Sequence, residues 1–442
     1  MIHSSTGESF PGASCPENPA PQDTFSHAQG ARDVREELAA ESPRASSLDR
    51  RNCMHTRGQQ PTKQYKRLVV WFRRDLRVQD NPALLAASLL AEDVIPVYVY
   101  APEEEGQFQP GRCSRWWLKN SLESLEKELL TAPTFAKLLL FRASESGALL
   151  ADLMEDLDAD GVFFNHLYDP ISMVRDNEVK ALLRGKQRHC QSFNCDVLRE
   201  PWTVVDKDSC AYSTFDMFWG AHGDVGRLGG VEGVAPGVVR MLGGAASSPV
   251  KALDRTRGCF RDTVEDLNIL NPQEKASNAQ LEVHWKPGRE GGLEVLRGFV
   301  EGRLGAFSHD KAKTDRKSTS RLSPFLHYGE IGVREVWEVV GQWEAGTGGK
   351  DGAKHAAAFR KQLGYREYSR YLSFHYPFTH ERAMLEHLRA IPWRYDQRLF
   401  KAWRTGNTGY PIVDAAMREI WSTGWMHNRC RVVYVFSRHV EV

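Results

Sequence analysis

The sequence predicts a doubly wound parallel α/β sheet domain followed by an all-α domain, and three observations carry that prediction. Near-continuous apolar runs alternate with amphipathic segments from Arg67 to about Leu198; a long stretch rich in Gly, Pro and Ser follows; beyond it the pattern is helical. Parallel strands covered on both faces read as unbroken apolar runs, because neither set of alternating side chains meets water. The 442 residues leave room for two or three domains, and 41% hydrophobic with 26% charged residues is the composition of a globular protein. A formal net charge of +1 argues neither for nor against a nucleic-acid partner, which would need a local basic face. No apolar run approaches the length of a membrane span, so no membrane partner is expected. The eight cysteines include no CxxC pair, and the nearest two, Cys190 and Cys195, lack the second pair that would complete a tetrahedral metal site. No metal is expected, and the reading is an intracellular protein of nucleus or cytoplasm, with organelle import the minor alternative.

Residues 1–66 have few large apolar residues and no sustained period, so they are read as a disordered extension that cannot bury enough surface to offset ordering. Strands are expected at Leu68–Phe72, Val94–Tyr100, Lys137–Phe141, Gly161–Phe164 and Cys195–Leu198, with helices such as Ser114–Leu130 and Gly147–Leu157 between them, giving an α/β domain over 67–203. No GxGxxG follows the first strand, so a dinucleotide fold loses its main support. Arg73-Arg74-Asp75-Leu76-Arg77 stands there instead, and Arg73 with Asp75 is expected to be ion-paired at the carboxyl edge of the sheet. Residues 204–292 are read as an inter-domain connector and 293–442 as the helical domain.

Three motifs in the helical part carry chemistry. Ser318-Thr319-Ser320-Arg321-Leu322-Ser323-Pro324 interleaves hydroxyls with backbone N–H groups and ends on a Ser-Pro suited to N-cap and N1, which makes an anion site conceivable and a plain capped helix the commoner outcome. In Phe359–Tyr371, helical spacing puts Gln362, Arg366 and Arg370 on one face beside Glu367. In Gly406–Arg431, Gly406 and Gly409 make a turn, Pro411 opens a helix with Ile412, Val413, Ala416, Met417 and Ile420 at helical spacing, and Gly424 ends it before Asn428, Arg429 and Arg431. Trp403, Trp421 and Trp425 sit in these apolar patterns and are read as core.

These three blocks, in this order, resemble the photolyase/cryptochrome family, and the stretch after the first strand resembles the start of its antenna domain. The resemblance covers most of the chain from Arg67 to about Val435. It implies an all-α FAD-binding domain in which Thr319, Ser320, Arg321, Leu322 and Ser323 line the FAD diphosphate, and Gln362, Arg366, Asn428 and Arg431 complete the pocket. It also implies a pterin (methenyltetrahydrofolate) as a candidate antenna in the α/β domain. Photolyases that repair cyclobutane dimers usually have glutamate, tryptophan and methionine where this chain has Gln362, Tyr365 and Val432, and the mixture is most like a plant-type, algal cryptochrome. The implied function is a flavin-based blue-light photoreceptor with a signalling protein as partner. The alternative is a deoxyribodipyrimidine photo-lyase acting on DNA. After Arg431 the match decays within a few residues, so the helical domain is expected to be incomplete and to retain FAD weakly. Of the family's electron-transfer tryptophans only Trp393 is recognisable.

Overall fold

Alternate residues of the first strand enter opposite cores. In β1 (Tyr65–Phe72), Leu68, Val70 and Phe72 join one buried cluster while Val69 and Trp71 join another, as a period of two requires when both faces are covered. In β2 (Ala91–Tyr100), Val94 and Tyr98 divide from Ile95 and Val97 in the same way. With β3 (Leu139–Arg142), β4 (Gly161–Asn165), β5 (His189–Phe193), β6 (Arg240–Met241) and β7 (Phe260–Arg261), they form a sheet of order β5-β4-β1-β2-β3-β7, with β6 also on β2. Every pairing is parallel except β3 with β7. The computed structural model describes residues 63–131, 136–222, 240–241, 253–347, 349–391 and 396–437. The amino-terminal extension therefore lies almost wholly outside the described residues, and so does Trp393.

Helices Ser146–Asp156 and Pro170–Gly185 cover one face of the sheet, and Pro82–Leu90 and Arg112–Leu129 the other. On that second face the core runs without a break into the helical part, from Trp117 to Phe325, Phe359 and Leu363. Two sequence expectations need correction. The fifth strand is His189–Phe193, not Cys195–Leu198, whose residues follow that strand and point Asp196 and Cys195 at other elements. The stretch expected as a connector supplies β7 and the helices Phe215–His222 and Lys275–His284; each piece is too short for its period to stand out against the Gly-rich sequence around it.

The helical part is dominated by Lys350–His375, called here the long helix, with Arg289–Gly302 and Val333–Thr347 beside it. Pro411–Thr423, the signature helix, starts with Pro411 at its first position and ends at Gly424, whose φ of 70° is the left-handed cap that glycine adopts without strain. A final helix, Asn428–Ser437, folds back on it, and Val413, Ala416, Met417, Met426 and Cys430 form a small core between the two. No helix among the described residues is long and apolar enough to cross a membrane.

Candidate functional site

The carboxyl end of β1, beside β4, is the switch point of the sheet, where doubly wound folds usually bind ligands. Here it is filled. Arg73 is ion-paired with Asp176, donates to the Asn165 carbonyl, and lies 4.5 Å over the Trp71 ring. Asp75 accepts from the Arg73 backbone N–H at 2.6 Å and from Asn165 Nδ2 at 2.5 Å. Both residues are structural, but the expected Arg73–Asp75 ion pair is not formed: the Arg73 guanidinium goes to Asp176, and Asp75 takes the Arg73 backbone N–H instead.

The next residues lock the α/β half to the helical half. Leu76 N–H donates to the Tyr328 carbonyl at 3.0 Å and Arg77 Nη1 to the Gly329 carbonyl at 2.9 Å. Gly329 has φ 66°, and a Cβ there would sit 2.2 Å from the Arg74 carbonyl oxygen, so only glycine fits. Glu330, fully buried, accepts from Trp117 Nε1 at 3.0 Å, from Ser121 Oγ at 2.7 Å and from the Gly288 backbone. Burial pushes its carboxyl up to about 7 despite those three donors.

The hydroxyl-rich loop 318–323 lies against the signature region. Arg321, in the left-handed conformation at φ 59°, places its guanidinium 4.3 Å over the Trp425 ring and 3.6 Å from Glu419 Oε1. Arg303 Nη1 donates to the Thr319 carbonyl at 3.2 Å, and burial together with the neighbouring Arg321 lowers its pKa. Two guanidiniums therefore crowd a loop whose Thr319 and Ser323 hydroxyls have no hydrogen-bond partner among the described residues. The expected cap is not formed: Ser323 is the first helical residue, Leu322 precedes it, and no side chain bonds the helix start. Leu322 is 1% exposed, so its side chain belongs to the core and only its backbone faces the loop.

The long helix divides its polar face. Gln362 is exposed. Arg366 Nη1 donates to the Asp196 backbone carbonyl at 2.6 Å and its Nη2 to the Asp196 carboxylate, to which Arg370 Nε also donates at 2.7 Å. Glu367, 3% exposed, accepts from the Leu198 backbone N–H at 2.6 Å and is pushed up to about 7, chiefly by burial. Tyr365 is 46% exposed and stacks on Phe215 with centroids 3.8 Å apart. Asn428 and Arg431 are exposed on the final helix, and no hydrogen bond or ion pair among the described residues joins them to Gln362 or Arg366. The structure thus brings Thr319–Ser323 to the signature region, sends Arg366 toward Asp196, and leaves Gln362 facing solvent apart from Asn428 and Arg431.

Comparison with known proteins identifies this arrangement. Residues 68–228 match the DNA photolyase domain, and residues 359–438 match the FAD binding domain of DNA photolyase. Cryptochrome-1 of Sinapis alba is 41% identical over 373 residues, 83% of this chain and 71% of that protein. The chain belongs to the photolyase/cryptochrome family. Cryptochrome-1 of Arabidopsis thaliana is 44% identical over 85% of this chain, which spans only 53% of that relative's length. Among solved structures, a bacterial class III photolyase from Agrobacterium tumefaciens superposes with a TM-score of 0.71 at 31% identity, covering 86% of this chain and 73% of that one. The FAD-binding match thus takes in the second half of the long helix, the signature helix and the helix after it.

Several residues that organise the family fold here were not singled out by sequence. Asp196 was hidden in an expected strand, and Glu330 lies in a turn with no motif around it. Arg303 stands just past the end of the helix Arg289–Gly302, and only its proximity to Arg321 gives it meaning. Trp421, expected in the core, is 65% exposed with the Arg112 guanidinium 5.3 Å over its ring, whereas Trp425 packs on the main core and Trp403 on the small one.

Proposed function

We propose that this protein is a cryptochrome-type blue-light photoreceptor that binds FAD between the loop 318–323, the long helix and the final helix, and signals to a protein partner. The residues fit the cofactor at its diphosphate end: Arg303 and Arg321 supply positive charge, and the unspent hydroxyls of Thr319 and Ser323, with Ser320, supply donors. Gln362, Asn428 and Arg431 are free to turn toward the ring system, while Arg366 acts by fixing the long helix to Asp196. When bound, the flavin supplies blue-light absorption and accepts one electron.

The observation that carries the signalling reading over repair is the residue set at Gln362, Tyr365 and Val432. Gln362 has no carboxylate with which to share a proton with a damaged base, and Tyr365 already has one ring face covered by Phe215. The kinship to the plant cryptochromes supports the same reading. The test is spectroscopic: the full chain supplied with FAD should show flavin bands that bleach under blue light with an added reductant. It should not restore dimer-containing double-stranded DNA above a dark control. Efficient light-dependent repair would overturn the assignment in favour of a photolyase. An added near-ultraviolet band in the same spectrum would report a pterin antenna.

A further inference from the structure

Where β4 ends, the chain passes through His166 and Tyr168 into the helix Pro170–Gly185. Tyr168 is 1% exposed, and its hydroxyl donates to Glu200 Oε2 at 2.6 Å. His166 Nε2 lies 3.0 Å from the same hydroxyl and 3.3 Å from Glu200 Oε1, and its Nδ1 lies 3.2 Å from Ser192 Oγ. One tautomer satisfies the whole set: Ser192 donates to Nδ1, Nε2–H donates to the phenol oxygen, and the phenol donates to Glu200. Among the described residues the Glu200 carboxylate has no Lys or Arg ion pair. Burial first, and the Glu200 charge second, hold the Tyr168 phenol well above its ordinary pKa, so it loses no proton unless it also loses an electron.

Trp202 packs against this group, its ring centroid 5.8 Å from His166, 6.3 Å from Tyr168 and 5.4 Å from Phe374. Its buried indole N–H has no acceptor among the described residues. From Phe374 ring contacts continue through His375, Tyr371, Tyr368 and Phe215 to Tyr365, at centroid separations of 5.1, 4.3, 6.0, 5.7 and 3.8 Å. A buried tyrosine needs one partner for its hydroxyl. That need does not account for an imidazole and a carboxylate lacking a Lys or Arg counterion both converging on the same phenol, beside the oxidisable indole of Trp202.

We propose that Tyr168 is a proton-coupled one-electron donor, a redox site of the α/β domain reached through Trp202. In the step, Tyr168 gives one electron to a one-electron oxidant by way of Trp202, its O–H bond breaks, and the proton forms an O–H bond on Glu200. His166 then donates through Nε2–H to the radical oxygen, and return of one electron and the proton from Glu200 restores the starting state. Service as the end point for holes that leave a photoexcited flavin rests on the photoreceptor reading. Oxidation by an added oxidant does not.

The test uses the full chain without FAD and the photo-oxidised form of ruthenium tris(bipyridine), reading the neutral tyrosyl radical by EPR and transient absorption. Thermal midpoints confirm that each variant is folded. The native chain should give a long-lived radical whose yield falls about tenfold in Tyr168→Phe. In Glu200→Gln the radical should form about tenfold or more slowly and acquire a pH dependence, because water must replace a positioned base. Unchanged radical yield and lifetime in Tyr168→Phe, or an unchanged rate in Glu200→Gln, would overturn the proposal, whatever the flavin experiment shows.

Discussion

The junction between the two halves and the pair of helices at the carboxyl side use the same residue types in opposite ways. At the junction, Arg77, Arg289, Arg366 and Arg370 each meet a carboxylate or a carbonyl, and Glu330 meets three donors. Around the signature helix, Ile412, Ile420 and Trp421 are exposed, Asn428 and Arg431 face solvent, and the Thr319 and Ser323 hydroxyls have no hydrogen-bond partner among the described residues, beside an Arg303 and an Arg321 that hold the Thr319 carbonyl and the Glu419 carboxylate. Polar groups already paired hold structure. Groups left unpaired, though they could be satisfied, mark where a ligand is to be met, because burying them without a partner would cost free energy.

Four measurements can break or sharpen that contrast. The largest effect is expected at the tightest contact of the junction: Gly329→Ala combines an unfavourable φ with a backbone clash and should cost about 4 kcal/mol in urea unfolding, or prevent folding. A loss below 1 kcal/mol, on the order of a surface change, would mean that the halves are not locked there. Asp196→Ala strands Arg366 and Arg370 and should cost about 3 kcal/mol. The same substitution should leave affinity for added FAD largely intact if Arg366 serves the junction; loss of FAD with stability retained would reassign Arg366 to the pocket.

Titration gives the third test. Glu330 and Glu367 are raised from an ordinary 4.5 to about 7, chiefly by burial, so the folded protein keeps protons that the unfolded chain has released. Stability should therefore decline by about 1–3 kcal/mol as pH climbs across that window, then level off. Glu330→Gln should remove part of the slope. Asp196 acts with the opposite sign: against the cost of burial, Arg366 and Arg370 hold it below the usual carboxylate range, so its contribution is lost only as strong acid protonates it. Stability that rises from pH 4.5 to 7 would contradict the burial of the two glutamates. The smallest effect belongs to the unpaired region. Ser320→Ala with Ser323→Ala should weaken FAD binding by about 0.5–1.5 kcal/mol for each hydrogen bond lost, with no change in urea unfolding of the chain without flavin. Equal affinity at limiting FAD would refute the diphosphate assignment.

What sequence made legible follows the same division. Strands β1 to β4 announce themselves because burial on both faces leaves long apolar runs, and Pro411 and Gly424 bound the signature helix by local backbone preference alone. β5 was missed because His189–Phe193 is half-polar at the sheet edge, while the nearby Cys195–Leu198 looks more strand-like. The serine cap failed because Leu322 turns into the core and pulls the helix start past it, a tertiary effect that no local rule carries. Residue types in the loop 318–323 and on the long helix were visible, but not that Arg366 and Arg370 share one carboxylate some 170 positions away in sequence.

Glu330 also sets a timetable. Its carboxylate is the acceptor for Trp117 Nε1, 213 residues earlier in the chain, and for Ser121 beside it. At ribosomal rates the helix Arg112–Leu129 must wait roughly 10–40 s for that acceptor to be synthesised, holding an unmatched indole N–H and an uncovered apolar face meanwhile. The α/β half can thus assemble its sheet early but cannot finish its surface alone, and the interval before residue 330 emerges is when this chain most needs a chaperone.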